Sequence, residues 1–403
     1  MSDAWLSIVG IGEDGLDGVP PAGRALIDGA QVLLGGKRHL AMIPETHPAE
    51  RLTWRVPLTD TVGDIAARKG KAVCVLATGD PMSYGIGVTL GREFGREALT
   101  VLPAPGAFSL AAARLGWPLE DVTRMTLHGR PLSLLAAQIE PGAKLFILSE
   151  NARTPAEVAG MLTAEGYGAS RIWVLEHLGG AKERVFDGTA RGWDAAPGAD
   201  LNTIAVDCRA EPGTRILYRG PGLPDDAFHH DGQLTKREVR AATLAKLMPR
   251  RGATLWDVGA GCGSIAIEWM RAGGHAVAFE RDKTRCRLIA RNAATLGVPH
   301  LDLIEGPAPD ALDEAEGAPD AIFIGGGLTG PDMAARCWDR LAPGGVLVAN
   351  VVTLEGEAIL TRLQSDWGGE LARIAVSRME PVGPYRGWKP LMTVTQFSVR
   401  KPV

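Results

Sequence analysis

The run Leu255-Trp256-Asp257-Val258-Gly259-Ala260-Gly261-Cys262-Gly263 constrains this chain more than any other stretch. A short, mainly apolar segment reads as a strand, and glycine then occupies every second position. Such spacing lets the backbone turn tightly and lets a ligand approach the main chain closely. The segment from Ser264 onward reads as a helix. A dinucleotide fingerprint G-x-G-x-x-G fits poorly, because position 264 is serine. Glu280 follows Gly263 by seventeen residues and closes the next apolar run. A carboxylate at a second strand end can accept both hydroxyls of a ribose. A third run ends in Glu305-Gly306-Pro307-Ala308, a small-residue turn that can flank an adenine ring, and a fourth in Ile324-Gly325-Gly326-Gly327.

Short apolar runs alternate with helical stretches along the whole chain, which predicts an α/β fold. Strands are expected at Leu6–Val9, Val73–Ala77, Leu99–Leu102, Lys144–Leu148, Arg171–Leu175 and Thr203–Val206. Further on they are expected at Thr254–Val258, Ala276–Glu280, Leu301–Glu305, Ala321–Ile324, Gly345–Val351 and Leu391–Val399. The length of 403 residues predicts two or three domains. Asp207–Asp231 is dense in Pro, Gly and Asp and reads as linker-like. The expected division is a domain over 1–206, a linker over 207–225 and a domain over 226–403.

Composition excludes several classes. A hydrophobic fraction of 45% with 22% charged residues is that of a globular protein. No apolar run approaches the roughly 20 residues of a membrane span. The start Met1-Ser2-Asp3-Ala4-Trp5 lacks the basic region of a secretory signal, so a cytoplasmic location is expected. A net charge of −4 argues against bulk binding to nucleic acid or an anionic membrane. Five scattered cysteines without a C-x-x-C pair suit a reducing compartment and predict neither a disulfide framework nor a metal site.

Upstream of the glycine loop lies Asp231-Gly232-Gln233-Leu234-Thr235-Lys236-Arg237-Glu238-Val239-Arg240. Thr235 can cap a helix, with Glu238 at the reciprocal position of a capping box. Lys236, Arg237 and Arg240 would then be cations poorly placed against the helix dipole, which a carboxylate-bearing ligand would explain. Near the C-terminus, Pro384–Pro390 reads as a loop presenting Tyr385, Arg386 and Lys389. The ordered set of glycine loop, acidic strand end, third-strand turn and late Pro343-Gly344-Gly345 resembles class I S-adenosylmethionine (SAM) methyltransferases. With D-G-Q-L-T-K-R-E-V-R and the Gly-Gly-Gly strand end, residues 225–403 resemble the decarboxylating precorrin methyltransferases of cobalamin biosynthesis. The resemblance implies a Rossmann-like domain holding SAM through Asp257, Gly259, Gly261, Gly263, Glu280, Gly306, Pro307, Ala308 and Gly325. The triple glycine offers no base, which suits an electron-rich carbon nucleophile or a bulky flat substrate.

The first half opens with Gly10-Ile11-Gly12-Glu13-Asp14-Gly15, a literal G-x-G-x-x-G after a strand. Gly18, Pro20 and Pro21 follow, so no helix is expected to open on its third glycine, and a dinucleotide reading is disfavoured. Two further strand ends are Gly79-Asp80-Pro81-Met82-Ser83-Tyr84-Gly85 and Pro103-Ala104-Pro105-Gly106-Ala107-Phe108-Ser109. Three Gly/Pro loops at strand ends can line one cleft. With Ser149-Glu150-Asn151 they resemble, in order, the tetrapyrrole methylases, class III SAM enzymes built of two α/β subdomains. The resemblance places a folded cofactor at Gly10, Gly79, Asp80, Pro81, Met82, Tyr84, Gly85 and the Ala107–Ser109 turn, including Ser109. Phe108-Ser109 departs from the two small hydroxyl residues of many relatives.

Together the resemblances imply methylation of precorrin-6B at carbons 5 and 15 with loss of the ring C acetate carboxyl, giving precorrin-8. They imply one SAM per domain, carbon 5 chemistry in the first half, and carbon 15 chemistry with decarboxylation in the second. Neither a metal nor a covalent nucleophile is required. Lys236, Glu238 and Tyr385 are candidates for an acid assisting CO₂ loss. Thr235, Arg240, Arg386 and Lys389 are candidates for holding the substrate's carboxylates. A homo-oligomer is implied, with handover contacts to neighbouring pathway enzymes. An NAD-type oxidoreductase, a non-catalytic SAM-binding scaffold of the corrin pathway and an RNA methyltransferase stand as alternatives.

Overall fold

The computed structural model describes residues 4–403. The chain packs as two compact units. Unit 1 comprises the chain through Arg130 together with Pro141–Thr214, and unit 2 comprises Pro131–Glu140 and Arg215–Val403.

Unit 1 contains two sheets. The first is built of β1 (Leu6–Ile11), β2 (Val32–Leu34), β3 (Glu50–Leu52), β4 (Val73–Thr78) and β5 (Leu99–Leu102). Its order is β3-β2-β4-β1-β5, and every pair is parallel. A parallel sheet is covered on both faces, so its strands are apolar at consecutive positions. In β1, Leu6 and Ile8 pack into one core cluster, and Val9 and Ile11 pack into another on the opposite face. The second sheet contains β6 (Val122–Thr126), β7 (Lys144–Leu148), β8 (Arg171–Glu176), β9 (Arg184–Thr189) and β10 (Asn202–Asp207). Its order is β6-β7-β10-β8-β9, with only β6 and β7 parallel.

Unit 2 is built around β11 (Thr254–Val258), β12 (His275–Glu280), β13 (Asp302–Glu305), β14 (Ala321–Ile324), β15 (Val346–Val351), β16 (Glu370–Ile374) and β19 (Val394–Arg400). A separate hairpin pairs β17 (Ser377–Val382) with β18 (Tyr385–Pro390). The main sheet runs β13-β12-β11-β14-β15-β19-β16, with β19 antiparallel to both neighbours. The chain moves one way from β11 and the other way from β14. Ligand crevices in open α/β sheets form at the carboxyl ends where the order reverses.

Both units are α/β, as the alternation predicts, and the buried central strands fall within a few residues of their expected limits. Strands β2, β3, β6, β9, β16, β17 and β18 are additions. Residues 384–390, expected as a loop, mostly form β18. Pro131–Glu140 packs with unit 2 for a local reason. Gly297 adopts φ +83°, and a Cβ there would stand 2.2 Å from the backbone nitrogen of Ala137. Arg219 adds a hydrogen bond from Nε to the Ala137 carbonyl, at 3.2 Å.

Candidate functional site

A cavity of about 1150 Å³ opens at the β11/β14 reversal in unit 2. After Val258 the backbone turns through Gly259, Gly261 and Gly263, with φ of +71°, +62° and +81°. These left-handed values are the reason for glycine at each position. Gly259 has a second reason. A Cβ on it would lie 2.8 Å from the backbone of Gly326. The glycine-rich end of β14 therefore lets two strand ends touch, a packing role beside any relation to substrate.

Two carboxylates organise this edge. Glu280 is buried, and its Oε2 accepts a hydrogen bond from the Gly261 amide at 2.9 Å. Its Oε1 accepts from the Asp282 amide at 3.0 Å. Asp257 is wholly buried beneath the loop, where its Oδ2 accepts from the Ala266 amide at 3.0 Å. Its Oδ1 has no hydrogen-bond partner among the described residues. Burial pushes the Asp257 carboxyl up to about 7, and the nearby Glu280 charge works in the same direction.

Of the residues expected at this site, Gly259, Gly261, Glu280, Gly306, Pro307, Ala308, Gly325, Thr235 and Lys236 line the cavity. Asp257 and Gly263 support it from behind; Gly263 directly precedes the helix Ser264–Arg271. Arg240 requires correction. It has no exposed side-chain surface, so it cannot meet a carboxylate at a rim. Its guanidinium bonds Glu268, the carbonyls of Thr235 and Leu223, and Asp225 at 3.3 Å. The expected capping box is also absent. The helix spans Arg237–Leu247, Lys236 precedes it, and no side chain caps it. Glu238 is instead engaged by Arg378 at 2.6 Å, and this partner holds its carboxyl below the usual carboxylate range.

Tyr385, Arg386 and Lys389 stand exposed on β18, outside the cavity lining. Lys389 pairs with Glu380 across the hairpin at 2.9 Å. The hairpin's link to the cavity runs through its base, where Val376, Pro390, Leu391 and Met392 line the wall. Sequence reasoning missed these residues and Asn350. The Asn350 amide donates to Thr243 Oγ1 at 2.8 Å, and its Oδ1 accepts from Gln396 at 3.0 Å. A polar residue near the end of an otherwise apolar strand was the available signal.

In unit 1 the three loops meet at the carboxyl ends of β1, β4 and β5. The Gly79 amide donates to the Ile11 carbonyl, and the Ala104 amide donates to the Gly79 carbonyl, each at 3.1 Å. A Cβ on Gly10 would lie 2.0 Å from the Gly79 carbonyl oxygen, so glycine is required there. Asp80 accepts from the Met82 amide at 2.9 Å and so shapes its own turn. Pro81 is buried, while Met82 and Tyr84 are exposed on the same loop. The Tyr84 hydroxyl donates to the Arg124 carbonyl at 2.9 Å. Gly85 precedes the helix Ile86–Phe94. The expected Ala107–Ser109 turn is the first turn of a helix, Ala107–Leu115, because Phe108 is drawn inward against Tyr84 and Phe146. Ser109 is left exposed on it. As expected, no helix opens at Gly15; a short 3-10 turn, Leu16–Gly18, follows it.

Among the described residues no group of His, Cys, Asp and Glu is arranged to hold a metal ion, and no helix is long and apolar enough to cross a membrane.

Residues 6–193 match the family described as Tetrapyrrole (Corrin/Porphyrin) Methylases, and residues 226–401 match the Precorrin methyltransferase domain. A relative from Sinorhizobium sp, named Precorrin-6Y C(5,15)-methyltransferase [decarboxylating], is 45% identical over 399 residues, covering 98% of this chain and 96% of its own. A Cobalt-precorrin-7 C(5)-methyltransferase from Salmonella typhimurium is 35% identical, covering 45% of this chain and 88% of its own. A Probable cobalt-precorrin-6B C(15)-methyltransferase (decarboxylating) from Pyrobaculum calidifontis is 36% identical, covering 45% of this chain and 98% of its own. At the identity and coverage of the first of these, the chain belongs to the precorrin-6Y C(5,15)-methyltransferases (decarboxylating).

Proposed function

We propose that this chain moves two methyl groups from SAM to precorrin-6B, at carbons 5 and 15, and releases the ring C acetate carboxyl as CO₂. The observation that carries this reading is the glycine cradle Gly259–Gly263 beside Glu280, opening into a cavity of about 1150 Å³. A left-handed glycine loop at a sheet reversal fits a nucleoside, and the volume exceeds the roughly 300–1,000 Å³ usual for small-molecule sites. That leaves room for part of a macrocycle. The two shorter relatives, each spanning 45% of this chain and named for one methylation, support one activity per unit.

In this reading, unit 1 serves carbon 5, and unit 2 serves carbon 15 with decarboxylation. Each unit holds one SAM. When bound, SAM supplies a methyl group already activated on sulfur. The protein's own work is positioning, since carbon and methyl must be held about 3–3.5 Å apart and in line. In unit 2 the loop amides and Glu280 orient the nucleoside, Gly306–Ala308 flank its base, and Thr235 and Lys236 hold substrate carboxylates. Lys236 is the acid candidate retained, because it alone of the three lines the cavity. In unit 1, Gly79–Gly85 and the start of the helix at Ala107 hold the cofactor. A cytoplasmic homo-oligomer exchanging tetrapyrroles with neighbouring pathway enzymes belongs to the same proposal.

The test uses the intact chain with one site disabled at a time. Precorrin-6B and isotopically methyl-labelled SAM are supplied, and methyl gain and CO₂ are followed by mass. Glu280→Ala is expected to abolish CO₂ release, while Gly79→Ala retains it and loses the carbon 5 methyl. CO₂ release that persists in Glu280→Ala and stops in Gly79→Ala reverses the assignment.

A further inference from the structure

A polar cluster in unit 1 has no part in holding the cofactor as proposed above. It joins Glu13, in the turn after β1, with Arg38 and His39, on the short helix Lys37–Ala41. Thr78, the last residue of β4, and His177, which directly follows β8, complete it. Glu13 Oε2 lies 2.8 Å from His177 Nδ1, and its Oε1 accepts from Arg38. Arg38 Nη2 reaches Thr78 Oγ1 at 3.2 Å and His39 Nε2 at 3.1 Å. Thr78 adjoins Gly79, so this network connects the Gly79–Gly85 loop to His177.

The geometry of His177 is specific. Its backbone lies at φ +47°, a left-handed value that L side chains rarely adopt. Its carbonyl accepts from the Gly180 amide at 2.9 Å, and its amide donates to the Leu201 carbonyl at 3.1 Å, fixing that conformation. A carboxylate at Nδ1 favours the tautomer protonated there, in which Nε2 carries the lone pair. Nε2 has no hydrogen-bond partner among the described residues, and the side chain is 26% exposed. His39 differs, because burial pushes it down to about 4 and keeps it neutral. A non-glycine residue held at a left-handed φ is a pattern met at functional sites.

We propose that His177 is the base that removes the proton lost when unit 1 methylates its tetrapyrrole, with Glu13 as its positioning partner. This rests on the reading of unit 1 as the carbon 5 methyltransferase. An enamine electron pair of the macrocycle forms the new carbon–methyl bond, and the sulfur–methyl bond breaks with its electrons going to sulfur. The macrocycle is left with one positive charge. An adjacent N–H or C–H bond then breaks, its electron pair returns to the ring, and the proton passes to His177 Nε2 and on to water.

The full chain tests this with His177→Ala and His177→Gln, the second keeping an amide that can still bond Glu13. The carbon 5 methyl is read by NMR from ¹³C-methyl SAM. General-base loss predicts a fall of about a hundredfold in both variants. SAM affinity is expected to stay within about twofold, far below the tenfold that 1.4 kcal/mol would give. Added imidazole is expected to restore part of the rate in His177→Ala. A second measurement omits SAM: in histidine-labelled chain, the His177 ring signals are expected to shift when the tetrapyrrole is added. A wild-type rate in His177→Gln, or ring signals that do not move, overturns the proposal. A wild-type chain that never methylates carbon 5 overturns the underlying reading of unit 1 instead.

Discussion

The guanidinium of Arg240 and the carboxylate of Glu268 form an ion pair from which solvent is excluded on both sides, their side chains being 0% and 2% exposed. Glu268 also accepts from the amides of Gly222, at 2.5 Å, and Leu223, at 3.0 Å. The pair thereby anchors the segment entering unit 2 to the helix behind the glycine loop. Leaving one partner of such a pair buried alone costs about 3–5 kcal/mol. Arg240→Met is therefore expected to lower the urea midpoint of unit 2 strongly. A stability change below about 1 kcal/mol would show that the pair is replaceable.

Lys236 lies one turn from Arg240 but behaves oppositely. It lines the cavity and has no ion pair among the described residues. Lys236→Ala is expected to leave thermal stability unchanged and to weaken tetrapyrrole binding about tenfold, or about 1.4 kcal/mol. Calorimetric titration with substrate and, separately, with SAM checks this. A loss confined to SAM would place the lysine at the cofactor instead.

Gly259 is a position in the cavity's glycine loop where a methyl group is doubly disfavoured. Alanine there meets both an unfavourable φ and the Gly326 backbone at 2.8 Å. Such strain costs about 1–3 kcal/mol, with displacement of one loop as the alternative. Gly259→Ala is expected to abolish CO₂ release while carbon 5 methylation continues in the same chain. Normal release would mean that the two strand ends can separate without consequence.

The buried Asp257 predicts a pH dependence of stability. Its folded value of about 7 lies above the 3.8 of a free aspartate, so the folded chain keeps a proton that the unfolded chain loses. Stability falls as pH rises across that interval, and the loss is complete above about 7. Asp257→Asn is expected to flatten this slope. Urea midpoints of both proteins at several points between pH 4.5 and 7.5 decide it; parallel slopes would assign the dependence to other groups.

The glycine loop, the acidic strand end and the small-residue turns were legible in sequence because each demands a particular residue type at a fixed place. Arg240 was not. A cation near a helix start looks the same whether it faces solvent or is enclosed, and its partners Asp225 and Glu268 lie 15 and 28 residues away. Thr235 and Glu238 satisfied a local pattern that tertiary pairing with Arg378 overrode. The β17–β18 hairpin was hidden because Pro381, Gly383 and Pro384 suggest irregular chain, even though its pairing is local, with Val382 facing Tyr385 across a two-residue turn. His177 carried no signal at all, because its partner Glu13 is 164 residues distant.

The short turn packed on Gly297 carries a lesson about dividing this chain. Pro131–Glu140 is followed by more than seventy residues of unit 1 before unit 2 resumes at Arg215. A fragment starting there would hold every cavity-lining residue yet lack the backbone that fills the notch above Gly297. Low activity in such a fragment would measure a missing patch rather than a missing partner. Conversely, a protease nick near residue 135 would be mapped to the first half of the chain while the damage appeared in unit 2.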